Sequence, residues 1–327
     1  MMSAASAGHA QSPPLLAPEA IQWKPASIFE KDAKGEELKD QPRMNLSGAA
    51  CVPTMPKFTS CLIANDEKKY AQFFSISDST LTPQQLIRLS NADKDPDSEG
   101  VAYDAGFFYV TGSHGRSRKK DTDNDSSYAV FRFAVDPATG IPKFKPSEKD
   151  VVGVESSSRI REVIETDDHI KAFFNKPLAA GGINIEGIAV KNGQMHLGLR
   201  GPSQKGNAFV VSVDADPLFT EKGGLKPKVT PLALGENTGI RDLAAVNAGI
   251  LILAGPTREE VVPYTVWLWD GAGTTAKPLG TLDLSGVDKG AKAEILLPLE
   301  EDGSNIRVLV MFDGLENGGA MSFKIPR

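Results

Sequence analysis

The 327-residue chain is 40% hydrophobic and 24% charged, with 36 Lys and Arg against 42 Asp and Glu for a net charge of −6. That acidic balance argues against a nucleic-acid partner or an anionic membrane surface, and no apolar run approaches the roughly 20 residues of a membrane span. Length alone would suggest two domains, but all-β folds often run longer as one unit, and 31 Gly with 22 Pro suit a chain full of turns.

The chain opens on "MMSAASAGHAQSPPLLAPEA", small and polar, with Ala7, Gly8 and Ala10 ahead of Gln11. It resembles the tail of a secretory leader that lacks the basic start and apolar stretch. Residues 1–20 are therefore expected to be a disordered leader remnant, and 21–327 a single domain. Next comes "IQWKPASIFEKD", which reads as a lone outer strand. Cys51 and Cys61 then flank "VPTMPKFTS", a hairpin able to set them opposite each other on neighbouring strands. A disulfide there fits an oxidising compartment, periplasmic or secreted; two reduced core cysteines are the alternative.

A repeat runs through the rest. "LSGAACV", "SEGVAYD", "IEGIAVK", "IRDLAAV" and "AEILLPL" align on Ser47, Glu99, Glu186, Arg241 and Glu294, at intervals of 52, 87, 55 and 53 residues. Each copy is followed by a turn and a second apolar strand: "SCLIANDE", "FFYVTGSHG", "MHLGLRGP", "ILILAGPT" and "RVLVMFDG". Third strands follow as "YAQFFSI", "YAVFRFAVD", "NAFVVSVD", "YTVWLWD" and "AMSFKIP", and fourth strands as "QQLIRL", "KVTPLAL" and "KPLGTLDL". Four short strands per repeat, bounded by Gly, Asn and Asp turns, is the pattern of a propeller blade. The fold expected is an all-β, five-bladed β-propeller. Its last copy ends after three strands, so the N-terminal outer strand is expected to complete that blade and close the ring.

The one long interval contains "VESSSRIREVIETDDHIKAFFNKPLAAGG", where Ile160, Val163 and Ile164, then Ile170, Phe173 and Phe174, keep helical spacing. A helical insertion over about 155–180 is expected between blades two and three. It either packs on the rim or covers the channel mouth.

An innermost strand and its antiparallel neighbour meet at one face. Ser47, Glu99, Glu186, Arg241 and Glu294 should therefore ring the channel mouth. Asn65, Asp66, Glu67, Ser113, His114, Arg116, Arg118, Arg200 and Asp313 should lie just outside. Three carboxylates in a narrow channel repel one another, and desolvation adds to the cost. Either Ca²⁺ or another divalent cation is held by Ser47, Glu99, Glu186 and Glu294, or Arg241 closes a structural ring of salt bridges. "DKDPDSEG" and "DTDNDSS" read as solvated loops; the second lacks the Gly and closing Glu of a calcium loop. In "SHGRSRKK", Arg116, Arg118, Lys119 and Lys120 join Arg200 and Arg241 as guanidinium and ammonium groups suited to a phosphate or carboxylate ligand. Glu67 and Asp313 border the same mouth. His114 is the histidine placed there for proton transfer, with Asp66 as the other candidate. No serine-hydrolase elbow, phosphate-binding loop, H-E-x-x-H or zinc pattern is present in the sequence.

"SGAACVP", "CLIANDE", "SEGVAYD", "TGSHGRSRKK", "NIEGIAV", "LRGP", "IRDLA" and "FDGLENGG" together resemble an uncharacterised bacterial propeller family catalogued as a domain of unknown function, over about Asn45 to Pro326. That resemblance implies the fold and brings no activity. A more distant likeness is to five-bladed calcium-dependent apyrases, which implies a calcium ring at Ser47, Glu99, Glu186 and Glu294. Arg241 departs from it. The EG-x-A openings are also similar to esterase-like phytase and lactonase propellers. The reading is an exported propeller that binds a small anionic ligand and hydrolyses it with a divalent cation, as a phosphoesterase or lactonase. The alternative is a non-catalytic interaction module for a protein partner.

Overall fold

In a computed structural model, residues 13–30, 42–53, 58–116, 122–220 and 224–327 are described. Five antiparallel sheets form the expected blades. Blade 1 runs outward as Leu46–Cys51, Phe58–Asn65, Tyr70–Ser77 and Thr80–Arg88, and blade 2 as Ser98–Asp104, Phe107–Gly112, Val130–Ala134 and Val154–Ser157. Blade 3 is Asn184–Lys191, Gln194–Gly201, Asn207–Asp214 and Lys228–Ala233; blade 4 is Thr238–Val246, Gly249–Pro256, Thr265–Trp269 and Ala276–Leu282. Blade 5 has three strands, Lys292–Glu301, Asn305–Asp313 and Met321–Pro326. Each innermost strand packs on the next, and that of blade 5 packs on that of blade 1, so the ring closes.

Apolar residues on both faces of each sheet account for this arrangement, since every blade is sandwiched between two others. Phe73, Phe108 and Phe133, for example, meet edge-on or tilted between blades 1 and 2, with centroids 5.8–6.0 Å apart. Glycine at the start of an inner strand serves the same contact. A Cβ on Gly100 would fall 2.8 Å from the Glu186 carbonyl oxygen, and one on Gly187 would fall 2.8 Å from the Leu243 nitrogen. The G of the EG-x-A openings is a blade-to-blade packing residue.

The N-terminal segment differs in detail from the expected closing strand. It forms a strap over three blades. Leu15–Leu16 pairs in parallel with the outer strand of blade 4, and Lys24–Pro25 with that of blade 1. Between them, Pro18 bridges Phe323 of blade 5 and the Glu19 N–H donates to the Ser322 carbonyl at 2.8 Å. Thus "IQWKPASIFE" continues to blade 1, while the residues just before it reach the open edge of blade 5. Pairing also begins inside the twenty residues expected to form a leader. Pro18 and Pro25 prevent one continuous strand, because proline cannot donate to a ladder.

The insertion lies between blades 2 and 3, where expected. Val154–Ser157 is the missing fourth strand of blade 2, and one short helix follows at Ile160–Thr166. Ile160, Val163, Ile164 and Ile170 are buried in one cluster with Ile185, Leu197 and Phe209 of blade 3, so this helix is core packing. Cys51 and Cys61 are joined across the first two strands of blade 1. Among the described residues, no helix is long and apolar enough to cross a membrane.

Candidate functional site

A register slip explains why a carboxylate stands at the start of a buried strand. In each blade the pairing of the inner strand shifts near its start, at Ser47/Ala49, Ser98/Gly100, Ile185/Gly187, Ile240/Asp242 and Ala293/Ile295, with further shifts at Asn184/Ile185 and Pro298/Glu300. A bulge leaves one residue out of the ladder and re-aims it. The residues left out are Gly48, Glu99, Glu186, Arg241 and Glu294. Four are the expected ring members. In blade 1 the ring position belongs to Gly48, one residue after Ser47. Gly48 has φ +63° and no room for a side chain, since a Cβ would lie 2.4 Å from Gly100 Cα. Ser47 reaches its neighbour from one step upstream.

The ring divides into two halves. On one side, Arg241 Nε lies 3.0 Å from Glu186 Oε2 and Nη2 donates to Glu294 Oε1. Arg200 Nη1 donates to the other Glu186 oxygen at 2.7 Å, and its Nε to the Thr257 carbonyl at 2.7 Å. Burial works against the Arg241 charge, but Glu186 and Glu294 more than offset it and its pKa rises. Burial raises Glu294 above the usual carboxylate range despite the guanidinium beside it. Asp242, next to Arg241, stands where blades 2 and 3 have Gly and accepts N–H groups from Leu243 at 2.8 Å and Leu296 at 2.7 Å, tying blade 4 to blade 5.

The other half is acidic. Asp66, Asp97 and Glu99 each place one oxygen within 4.8 Å of the others. The Ser47 hydroxyl lies 3.2 Å from Glu99 Oε2 and donates to the Glu99 carbonyl at 2.9 Å. Glu99 is 2% exposed. Burial pushes its pKa well above the ordinary value, followed by repulsion from Asp97, Glu186, Asp66 and Glu294. Every one of these influences opposes its charge. Such a group holds a proton, or a cation takes the proton's place. Buried polar atoms of Ser98 (Oγ), His114 (Nε2), Asn184 (Oδ1) and Arg241 (Nη1) have no protein hydrogen-bond partner, which marks the mouth as a place for water or ligand.

The remaining candidates fall in different places. Glu186 and Glu294, expected to hold a cation with Glu99, are engaged by Arg241 instead. His114 is 1% exposed, and its Nδ1 sits 2.9 Å from the Gly112 carbonyl, which makes Nδ1 the protonated nitrogen. Burial lowers its pKa to about 4, so the ring is neutral at pH 7. It packs edge-on against Tyr128 and is not in the acidic group. Arg116 Nη1 pairs with Asp123 at 2.7 Å. Arg118, Lys119 and Lys120 lie outside the described residues. Glu67 N–H donates to Asn65 Oδ1, and Asp313 pairs with Lys292 at 3.1 Å. Asp97 was missed because "DKDPDSEG" reads as a solvated loop; its place two residues before a ring Glu was the available signal.

Glu30 gave no sequence signal at all. The strap carries it to 0% exposure, where Asn65 Nδ2 donates to its Oε2 at 3.0 Å. Burial pushes its pKa up to about 8, against smaller opposing effects from Lys68, Asn65 and Tyr70. The folded state therefore binds a proton that the unfolded chain releases at an ordinary carboxylate pKa. Stability should fall as pH rises from about 4.5 to about 8, by at most about 1.4 kcal/mol per pH unit, and stay flat above. Glu30→Gln should match wild type near pH 4 and exceed it at pH 8. Thermal melts at both values check this; a wild-type-like loss in the variant would overturn it.

Comparison with solved structures gives propeller-like neighbours at low identity. An exo-β-1,3-galactanase from Phanerochaete chrysosporium, crystallised with β-1,3-galactotriose, is 12% identical with a TM-score of 0.47, over 92% of this chain and 63% of its own. The chain thus spans less than two thirds of that enzyme's length. A calcium-binding regucalcin from Agrobacterium tumefaciens is 10% identical with a TM-score of 0.38, covering 95% of each chain. A soluble aldose sugar dehydrogenase from Escherichia coli, in its apo form, is 12% identical with a TM-score of 0.38, over 97% of this chain and 96% of its own. The sequence matches no curated protein. A family model does match it over residues 60–134 and 145–319, which takes in the inner strands of blades 2 to 5 with all four bulged ring residues. The chain belongs to the family described as Protein of unknown function (DUF3616).

Proposed function

We propose that this propeller works in an oxidising compartment, periplasmic or extracellular, and holds a divalent cation at the acidic half of its channel mouth. Asp66, Asp97 and Glu99 would supply carboxylate oxygens, with the Ser47 hydroxyl beside them. The observation that carries the reading is Glu99, a carboxylate 2% exposed whose pKa is raised by burial and then by repulsion from Asp97, Glu186, Asp66 and Glu294. Oxygen-only donors suit a hard cation such as Ca²⁺. Through the cation the site would take a small phosphorylated or carboxylated ligand, because Arg200 and the Nε and Nη2 of Arg241 are already committed to Glu186 and Glu294. A bound divalent cation supplies Lewis acidity and a more acidic water, the basis for phosphoester or lactone hydrolysis. Asp66 would be the proton acceptor beside it. The deeply buried His114 would hold the neighbouring loop by its bond to Gly112.

A second reading has its own support. The Glu186–Arg241–Glu294 set closes three of the five ring positions without any ion, as a non-catalytic interaction module would need. Chelator and calcium decide between them. On the first reading, chelation should lower the melting temperature by a few degrees and Ca²⁺ should restore it, since ligand at 100 times its Kd adds about 2.7 kcal/mol. Glu99→Gln should abolish the response. Affinity should rise with pH, because the cation competes with the proton on Glu99. A melt indifferent to chelator, Ca²⁺, Mg²⁺ and Mn²⁺, with Glu99→Gln at least as stable as wild type, would establish the structural ring.

A further inference from the structure

The opposite end of the channel has a different chemistry. The last residues of all five inner strands surround a cavity of about 660 Å³, open to solvent. Its wall is made of small and aliphatic side chains, among them Ala50, Ala102, Ala189, Ala245 and Leu297. One register recurs: three steps beyond the bulge stand Cys51, Ala102, Ala189, Ala244 and Leu297. Three of the five are alanine, nearly buried in the clusters between neighbouring blades. The volume falls within the roughly 300–1,000 Å³ of small-molecule sites.

The rim decides what charge the cavity accepts. Lys191 Nζ is spent on the Val246 and Asn247 carbonyls. Glu301 is held by Arg327 and the Asn247 N–H, and Asp104 accepts the Gly193 N–H at 2.9 Å. These bonds knit adjacent blades together. Glu300 remains exposed, and no described residue bonds to its carboxylate. The wall thus offers apolar surface, and among the described residues the rim offers an available negative charge with no available positive one.

We infer that this cavity is a second binding site, for a small amphiphile with an apolar body and a cationic end, such as an alkylammonium. The body replaces water along the alanine-lined wall, and the cationic end stays in solvent beside Glu300. The site is about four residues of strand away from the acidic mouth, and the two are expected to bind independently.

Calorimetric titration with octylammonium and decylammonium chloride, below their micelle concentrations, tests this on the full chain. Decylammonium should bind one to one. It should bind about 15-fold more tightly than octylammonium, from about fourfold per methylene buried. Glu300→Gln, an exposed change, should weaken decylammonium about threefold and leave decanol unaffected. Ala50→Phe and Ala245→Phe fill the cavity from opposite walls and should each abolish binding. Glu99→Gln should not alter it. No saturable binding to wild type would overturn the inference. So would equal affinities for the two chain lengths, or affinity unchanged by Glu300→Gln and by the filling variant that folds.

Discussion

Arg241→Ala should be the most damaging single substitution in the channel, costing about 3–5 kcal/mol. Arg241 is 1% exposed, as is Glu186, and Glu294 is 3% exposed. Removing the guanidinium leaves two buried carboxylates without their counter-charge, and leaves a void where the side chain was. Arg200 still holds one Glu186 oxygen, but nothing described replaces Arg241 at Glu294. Glu294, already raised by burial, would lose the guanidinium that lowers it and take up a proton more readily, so the loss should shrink as pH falls. Adding Glu186→Gln and Glu294→Gln to Arg241→Ala should recover part of the loss, because neutral amides need no counter-charge. Urea denaturation of wild type, Arg241→Ala and the triple variant at pH 5 and pH 8 measures both effects. A loss below about 1 kcal/mol at pH 8 would mean the ring is not held by this charge set.

Removing residues 1–30 should destabilise the propeller by at least about 5 kcal/mol, enough to unfold a typical domain of marginal stability. Phe29 is 0% exposed, against Phe74 at a centroid distance of 5.8 Å, and Leu16 is 7% exposed in a separate cluster between blades 4 and 5. Burying each is worth about 1.5–3 kcal/mol. The strap adds the Trp23–Ser322 hydrogen bond at 2.9 Å and the Glu19–Arg307 ion pair at 2.6 Å. It also covers the free edge of the three-stranded blade 5. Phe29→Ala alone should cost about 3–5 kcal/mol. Thermal and urea melts of the truncated chain check the prediction. An unchanged midpoint would show that the ring closes on inner-strand packing without the strap.

The blades were legible in the chain because each is a local unit. Alternating apolar strands, Gly and Asn turns and a near-constant interval are properties of neighbouring residues, and they survive in any correct fold. The facing of Cys51 and Cys61 was legible for the same reason: a hairpin sets cross-strand partners by its own geometry. The ring positions Glu99, Glu186, Arg241 and Glu294 were also visible, as polar residues repeated at the head of apolar strands. Three things needed the tertiary structure. The bulge in blade 1 falls on Gly48 and not Ser47, because a one-residue slip depends on which residue the partner strand faces. The division of the ring, with Arg241 between Glu186 and Glu294 and Glu99 beside Asp66 and Asp97, depends on how separate blades are rotated about one axis. The path of the strap over blades 4, 5 and 1, which buries Glu30, joins residues nearly 300 positions apart. No local pattern encodes such contacts, because their energy comes from desolvation and from charges that meet only after the ring has closed.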